Sequence, residues 1–403
     1  FILNTCHIRE KATEKVYHEI GRVKKEFKNK RKPITIITGC VAQAEGDILL
    51  KKEKYIDAVI GPQSYQEINK TILDFENKNK QINLTDFEVI EKFDQLNIIK
   101  NSNNNISSYL TIQEGCDKFC KFCVVPYTRG AEFSRSTEEI LLEANQLINN
   151  GVKEIILLGQ NVNAYNYKNK KLSDLLYELD KIKNLERIRY TTSHPKDLTD
   201  DLIEAHKKCK KLMPILHLPV QSGSSKILKT MNRNHSVEEY LLKIKKLKEK
   251  NPLIEFSSDF IIAYPGETQE DFEDSIFLMK KVKFINSYSF IFSPRPGTPA
   301  ANLKMINSKI AKNRLFTFQK VANEIKKKYR NKLINTTAKV LFENKTKDEM
   351  GYFGRDEYFN SVIVNRNNEN LIGKIKKVKI NQCNQNTLFG DILSDTSHKE
   401  FAA

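Results

Sequence analysis

The 403-residue chain has no tryptophan, no apolar run near the roughly 18 residues that a membrane span needs, and no opening signal peptide. The first absence only trims the aromatic inventory; the other two argue against a membrane or secreted protein. A disulfide framework is missing as well: seven cysteines, an odd number in a long chain, do not make one. The chain does not begin with methionine, and Phe1-Ile2-Leu3 reads as the end of a buried strand, so a further N-terminal piece is expected upstream. The expectation is a soluble, cytoplasmic, basic protein with no membrane partner.

Length suffices for two or three domains, each with its own core. Charged residues make up 29% of the chain but are interleaved with apolar periodicity, which argues against disorder. The net charge is +17, and residues 304–379 carry +12 of it, with 15 Lys and 4 Arg against 2 Asp and 5 Glu. Lys-rich solvated helices would account for a basic total. Segregation at one end points instead to a polyanionic partner.

Residues 1–75 alternate FILNT, ITIITG and IDAVIG with helical spacing at 8–27 and 43–52, which implies a parallel α/β layer. Residues 76–108, with their Asn-rich run, read as a connector. From residue 109 six apolar strands (SYLTIQ, EIILLG, RIRYTT, ILHLPV, FSSDFIIAY, SYSFIFS) alternate with amphipathic helices at 137–149, 172–182, 198–207, 237–250 and 270–281. Six βα units are too few for a closed eightfold barrel, so an open, partial (β/α)6 barrel is expected, working at the carboxyl ends of its strands. A long Lys-rich helix at 308–333 closes this part, giving a central domain of 109–333. Short strands over 334–396 read as a small β-barrel.

Chemistry concentrates in the cysteines. Cys116, Cys120 and Cys123 crowd a loop directly after the first barrel strand. Structural zinc asks for four ligands, usually in two separated pairs. Three thiolates suit a 4Fe–4S cube with one iron left open. A three-Cys zinc site completed from elsewhere is the competing reading, and the strand context disfavours it. Phe119 and Phe122 either wall such a cube or simply pack. Cys6 and Cys40 each follow an apolar strand of the first layer, so parallel pairing would bring both thiols to one sheet edge. Two thiols do not hold a cube, and buried free cysteine is the alternative. Cys209 and Cys383 read as structural or incidental.

The cysteine spacing at a barrel mouth resembles the radical S-adenosylmethionine superfamily. The ordered series NTCHIREKATEKV, GCVAQAEG, IGPQ, EGCDKFCKFCVVPYTRGAEFSR, LLGQNVNAY, TSHP, HLPVQSGS, SSDFI, YPGET and FSPRPGTPA goes further. From Phe1 to about Asp395 it resembles the MiaB-type methylthiotransferases. That resemblance implies a methylthiotransferase N-terminal domain, a radical barrel and a tRNA-binding TRAM domain. It implies two 4Fe–4S clusters and S-adenosyl-L-methionine: one cluster on Cys116, Cys120 and Cys123, and an auxiliary one for which Cys6 and Cys40 match the second and third ligands. The first auxiliary ligand belongs to a strand expected upstream of Phe1, so the auxiliary set is incomplete in this sequence.

The implied reaction adds a methylthio group to carbon 2 of an N6-isopentenyladenosine in a tRNA anticodon stem-loop. It consumes two S-adenosylmethionines, one giving the methyl group and one the radical that abstracts hydrogen. An electron donor such as a flavodoxin or ferredoxin and a sulfur source are implied partners. Gln160 and Asn161, Ser193 and His194, and Gln221 and Ser222 end successive barrel strands, where relatives contact the cofactor. Arg129 and Arg135 are candidates to neutralise a cofactor carboxylate or an RNA phosphate. Arg355 and the lysines at 374–379 are candidates for tRNA phosphates, and Tyr352, Phe353, Tyr358 and Phe359 for stacking on bases or for core packing. The alternatives are a sister enzyme acting on threonylcarbamoyl-adenosine or a ribosomal protein, and a non-catalytic iron–sulfur RNA-binding protein. Residues 8–12 and the run from Gln160 to Asn163 favour the isopentenyladenosine branch.

Overall fold

The computed structural model describes residues 1–6, 10–78, 80–85, 105–365 and 369–393. In the N-terminal layer β1 (Ile2–Thr5), β2 (Ile36–Gly39), β3 (Ala58–Ile60) and β4 (Ile82–Leu84) pair in parallel, in sequence order. Helices α1 (Glu10–Glu26), α2 (Cys40–Lys52) and α3 (Ile68–Lys78) connect them. Val16, Ile20, Val41 and Leu49 cover Ile37 and Val59 on one face, while Ile68 and Ile72 cover Ile36, Ala58 and Ile60 on the other. A parallel sheet covered on both faces explains why β2 and β3 are buried throughout.

Among the described residues β1 stands at the sheet's edge, with Phe1 and Ile2 exposed. One expectation changes. The stretch expected as a connector contributes β4 to the sheet, so the layer runs past residue 75. Three residues flanked by polar neighbours gave no strand periodicity. The rest of that stretch, at 86–104, and residues 7–9 lie outside the described residues.

The central domain holds six parallel strands: β5 (Ser107–Thr111), β6 (Glu154–Leu158), β7 (Arg187–Tyr190), β8 (Ile215–His217), β9 (Glu255–Ile262) and β10 (Asn286–Ile291). They form two three-stranded sheets, β5-β6-β7 and β8-β9-β10, joined by a parallel bridge between Ile188 and Leu212. Among the described residues β5 and β10 do not pair, so the barrel is open. Two short helices, α4 (Val125–Arg129) and α8 (Ser225–Thr230), sit in its loops. The covering helices are α5 (Thr137–Asn149), α6 (Leu172–Lys181), α7 (Asp200–Lys208), α9 (Val237–Lys250) and α10 (Gln269–Val282), followed by α11 (Ser308–Leu333). Their apolar faces share one core with Leu110, Ile155, Leu157, Ile188, Leu216 and Phe260. Ser136, Ser236 and Thr268 cap α5, α9 and α10 by accepting backbone N–H bonds, each worth about 1 kcal/mol.

The C-terminal strands β11 (Thr337–Lys345), β12 (Gly351–Arg355), β13 (Ser361–Asn365), β14 (Ile375–Cys383) and β15 (Thr387–Ile392) close a barrel in the order β11-β12-β13-β15-β14. Val340, Phe342, Tyr352, Val362, Val378 and Leu388 fill it. This barrel docks against the amino ends of the central strands. Buried Arg187 donates to the carbonyls of Lys339 (2.8 Å) and Arg355 (2.8 Å), and Arg189 to those of Asp356 (2.8 Å) and Glu357 (2.9 Å). Arg189 also pairs with buried Glu154 at 2.9 Å. The carboxyl ends of the strands are left to the site.

Candidate functional site

The three-cysteine loop is closed at its base, where Gln113–Glu114 pairs with Phe133–Ser134. Gly115 has φ +80, and a Cβ there would lie 2.0 Å from the Ala131 carbonyl, so only glycine fits. Cys116 N donates to Gly130 O (3.1 Å) and Cys123 N to Cys120 O (2.9 Å). The far side is held by Lys121 N donating to Met231 O and Ala300 N to Lys121 O, both 3.0 Å. Phe122 packs with Ile227, Met231, Tyr264 and Phe292 beneath the loop, whereas Phe119 is exposed and meets Tyr127 edge-on. Only Phe122 can serve as a wall.

Cys120 is buried, and Cys116 and Cys123 are half-buried. Burial pushes the Cys116 thiol up to about 12, reinforced by Glu132 and the other two cysteines. It pushes Cys123 to about 11, with Cys120 adding to the rise. The three sulfurs therefore feel one another, and thiols held like this stay protonated until a cation lies against them. Irons bound through them would be that cation, so the donor set fits a cluster. Among the described residues no three His, Cys, Asp or Glu side chains converge on one ion. Arg233 approaches Cys120 Sγ at 3.5 Å while donating to Pro219 O at 2.6 Å.

Around the loop the strand ends are strained. Thr192 (φ 61), Gln221 (φ 80) and Ala263 (φ 58) follow β7, β8 and β9 in the left-handed region, at about 1–3 kcal/mol each. Such strain clusters where a ligand is gripped. Beside them are buried polar atoms that find no partner among the described residues: Asn161 Oδ1, Ser193 Oγ, His194 Nε2, His235 Nε2 and Tyr264 Oη. Unpaired groups of this kind suit a polar ligand.

The residues expected here do different things. Asn161 donates to Glu132 (3.0 Å) and Asp197 (2.7 Å), and Lys118 pairs with Asp197 at 2.8 Å. His194 is held by Asn163, accepts Lys196 N on Nδ1 and meets His235 edge-on at 5.8 Å. Burial, then Arg233 and His235, hold it far below the ordinary imidazole range, so it is neutral. Gln160 Oε1 accepts Gly115 N (2.8 Å), and Gln113 Oε1 accepts the N–H groups of Gln160 and Asn161. Gln160 thus ties the cysteine loop to β6.

Ser222 is buried, and its hydroxyl accepts Ser224 N. Arg135 is buried among Glu139 and Glu143, away from the loop. Arg355 is turned inward: it pairs with Glu343 (3.4 Å) and stacks on Phe359, which Arg189 also covers. Tyr352 is core, and Tyr358 donates to Leu253 O. These groups serve docking and packing. Lys377 and Lys379 point outward from β14. Arg233, His235, Tyr264 and Gln113 were not foreseen. The one sequence signal for the first two was the Asn-Arg-Asn-His run at 232–235, whose asparagines both take positive φ.

In the N-terminal layer Thr5 and Gly39 are register partners, which sets Cys6 and Cys40 side by side at the carboxyl ends of β1 and β2. Gly39 has φ +92, and a Cβ there would lie 2.2 Å from Thr5 O. Both Gly39-Cys40 and Gly115-Cys116 therefore present a thiol immediately after a turn that only glycine can make. Arg129 joins the two regions: its guanidinium pairs with Glu114 at 2.7 Å, its carbonyl accepts Gln63 Nε2 from the N-terminal layer at 3.0 Å, and Cys40 with Glu114 raises its pKa against the lowering by burial. Cys209 lies in the core, pushed up to about 12 by burial and then Asp180.

Three family models match: "Uncharacterized protein family UPF0004" over residues 1–61, "Radical SAM superfamily" over 110–279 and "TRAM domain" over 331–393. A Pelagibacter ubique (strain HTCC1062) protein named tRNA-2-methylthio-N(6)-dimethylallyladenosine synthase is 59% identical, covering 100% of this chain and 91% of its own length. Proteins of the same name from Rickettsia akari (strain Hartford) and Ehrlichia canis (strain Jake) are 49% and 47% identical, over 97% and 96% of this chain and 90% of theirs. Among solved structures, the radical S-adenosylmethionine methyltransferase TsrM from Kitasatospora setae, with cobalamin and a [4Fe-4S] cluster bound, matches with TM-score 0.54. It is 13% identical and covers 74% of this chain and 64% of that one, a likeness of fold.

Proposed function

The chain belongs to the tRNA-2-methylthio-N(6)-dimethylallyladenosine synthases, radical S-adenosylmethionine methylthiotransferases, and from that premise we propose which of its residues do the work. The substrate is tRNA carrying the dimethylallyl (isopentenyl) adenosine beside the anticodon, and the product bears a methylthio group on carbon 2. The observation that carries the reading is the three-thiol loop at the open end of a six-stranded barrel, within a chain matched along its whole length.

Cys116, Cys120 and Cys123 hold the radical-forming cluster, and Cys6 and Cys40 hold part of the auxiliary one. Bound there, the clusters and S-adenosylmethionine supply the electron, the radical and the sulfur that acid–base side chains do not. The chain's own residues bind and exclude. Asn161, Ser193 and His194 offer polar atoms to the cofactor; His194, neutral and accepting Lys196 N on Nδ1, carries its proton on Nε2 and gives a hydrogen bond there without adding charge. Gln160, Gln221 and Ser222 shape the strand ends behind them, Gln160 by fixing Gly115. Tyr264 and Phe122 shield the loop from water.

Domain limits of 1–75, 109–333 and 334–396 go with this reading, with β4 added to the first. The C-terminal barrel and α11 meet the tRNA anticodon stem-loop. A groove of about 380 Å³ between them is lined by Lys326, Lys327, Arg330, Cys383 and side-chain amides, and its two lysines suit phosphate. A flavodoxin or ferredoxin as electron donor, a separate sulfur source and a cytoplasmic location complete the proposal. Among the described residues no helix is long and apolar enough to cross a membrane.

Anaerobic reconstitution with iron and sulfide tests it. The expected result is S-adenosylmethionine cleavage and a methylthio mass gain on isopentenylated tRNA, both abolished in Cys116→Ala. No cleavage by the iron-loaded protein would sink the enzyme reading. Gain on threonylcarbamoyl-adenosine instead would move it to the sister branch.

A further inference from the structure

The central barrel is open between β5 and β10, the outer strands of its two sheets. Each presents a tyrosine there: Tyr109 in the middle of β5 is 64% exposed, and Tyr288 in the middle of β10 is 55% exposed. On the same strands Leu110 and Ile291 join the helix-covered core. Side chains alternate between the faces of a strand, so both rings turn to the barrel's interior. Closed βα barrels fill that space with side chains, whereas here it stays open.

Tyr288 is braced. Its ring meets His217 of β8 edge-on at 6.2 Å, and His217 is itself held, with Nδ1 2.9 Å from Ser257 Oγ and Nε2 3.5 Å from Asp259 Oδ2. Asp259 is the register partner of Tyr288, so an aromatic face stands beside a carboxylate and an imidazole. Apolar groups on the same face surround the rings: Ile156 beside Tyr109, and Leu158, Ile261 and Phe290 one step nearer the mouth. Ile261 packs on the Tyr264–Phe292 cluster that also backs Phe122 of the cysteine loop. The parts that meet tRNA flank this opening. α11 packs along β10, and the C-terminal barrel reaches the amino end of β5, where a Cβ on Gly373 would lie 3.3 Å from Ile106 Cδ1.

We infer that Tyr109 and Tyr288 receive the target nucleoside, stacking on the adenine as it turns out of the anticodon loop, while Leu158, Ile261 and Phe290 take its dimethylallyl group and Asp259 with His217 meets its polar edge. This rests on the isopentenyladenosine substrate proposed above. Stacking on an aromatic ring tolerates any base, so the rings grip and the wall behind them selects. A branched apolar group gains by leaving water against that wall. The carboxylate of a threonylcarbamoyl group would shed its hydration there and stand near the Asp259 carboxylate, so the same seat turns the sister substrate away.

The test is the affinity of the reconstituted full chain, without reductant, for anticodon stem-loops bearing adenosine, isopentenyladenosine or threonylcarbamoyl-adenosine, read by fluorescence anisotropy over a range of salt. The parent is expected to bind the isopentenylated loop roughly tenfold tighter than the other two. Tyr109→Ala and Tyr288→Ala should each weaken that loop by about five- to thirtyfold and leave the slope of log affinity against log salt unchanged, because no phosphate contact is lost. Tyr288→Phe keeps the ring and should bind like the parent. Leu158→Asn should erase the preference over unmodified adenosine, and Asp259→Asn should admit the threonylcarbamoyl loop severalfold better. Alanine variants that bind like the parent, or that weaken binding only by changing the salt slope, overturn the assignment; both tyrosines are exposed, so either variant decides if the other does not fold. A parent that methylthiolates isopentenyladenosine yet binds all three loops equally overturns the seat alone. A parent that methylthiolates none of them overturns the proposed function instead.

Discussion

Two buried histidines, His194 and His206, and the half-buried His235 share one electrostatic situation. His206 sits in the core, its Nε2 2.7 Å from Tyr190 Oη, and burial lowers it to about 4. His235 is lowered to about 4 by burial and then Arg233, and His194 lies further below the ordinary range. A base whose folded pKa is depressed is protonated first in the unfolded chain. Its stabilising share is present above about pH 6.5 and is lost as pH falls toward 4, at about 1.4 kcal/mol per pH unit for each histidine. Thermal melts of the cluster-free chain across this window should show falling stability on acidification. His206→Gln, which keeps a polar group opposite Tyr190, should decline less steeply by one histidine's share; an identical slope would show that His206 does not titrate there. None of this was legible beforehand, because His206 stands among lysines in α7 and nothing local announces that its side of the helix is the buried one.

At the scale of the element, two glycines with positive φ make contrasting tests. At Gly115 a Cβ meets the Ala131 carbonyl, while at Gly151 (φ +95) it meets nothing within 4 Å. Gly151→Ala should cost about 1–2 kcal/mol of stability through backbone strain alone and leave iron loading unchanged. Gly115→Ala must move the backbone that carries Cys116, so it should lower iron content and S-adenosylmethionine cleavage at least tenfold. Equal iron in the two variants would show that the loop tolerates the shift. The loop itself was readable because its ligands lie within eight positions of one another. Long periodic elements were readable for a similar reason, with α9 and α11 falling on the expected residues. Strand β12 was not, because Gly-Tyr-Phe-Gly-Arg has no alternation, and its aromatics read equally as base-stacking or core groups, of which Tyr352 is core. Arg129 stood out in the sequence, but its place at the seam did not, because Gln63 is far away in sequence and only the packing of α4 against the N-terminal layer brings the two together.

For the whole molecule, the charge at one end reads differently once the domains are docked. Arg187 and Arg189 are buried and seal the C-terminal barrel onto the amino ends of β6 and β7, with Asp356 buried in the seam and the Arg355 side chain turned onto Glu343 and Phe359. The outward basic surface is therefore made by α11 and β14, held at a fixed orientation to a site at the opposite end of the strands. That orientation matters, because a tRNA gripped by phosphates has to present one base to the barrel mouth. Arg187→Met keeps the stem and removes the hydrogen bonds to Lys339 and Arg355, which should weaken docking by about 2–4 kcal/mol. Calorimetry should then resolve two unfolding transitions where the parent shows one. S-adenosylmethionine cleavage without tRNA should survive, and so should tRNA affinity with its steep salt dependence, since neither depends on how the two parts are aligned. Methylthiolation should fall severalfold. If cleavage fell in parallel, the seam would be supporting the barrel itself; if methylthiolation were unchanged, α11 alone would be rigid enough to present the tRNA, and the arginine seam would matter only for stability.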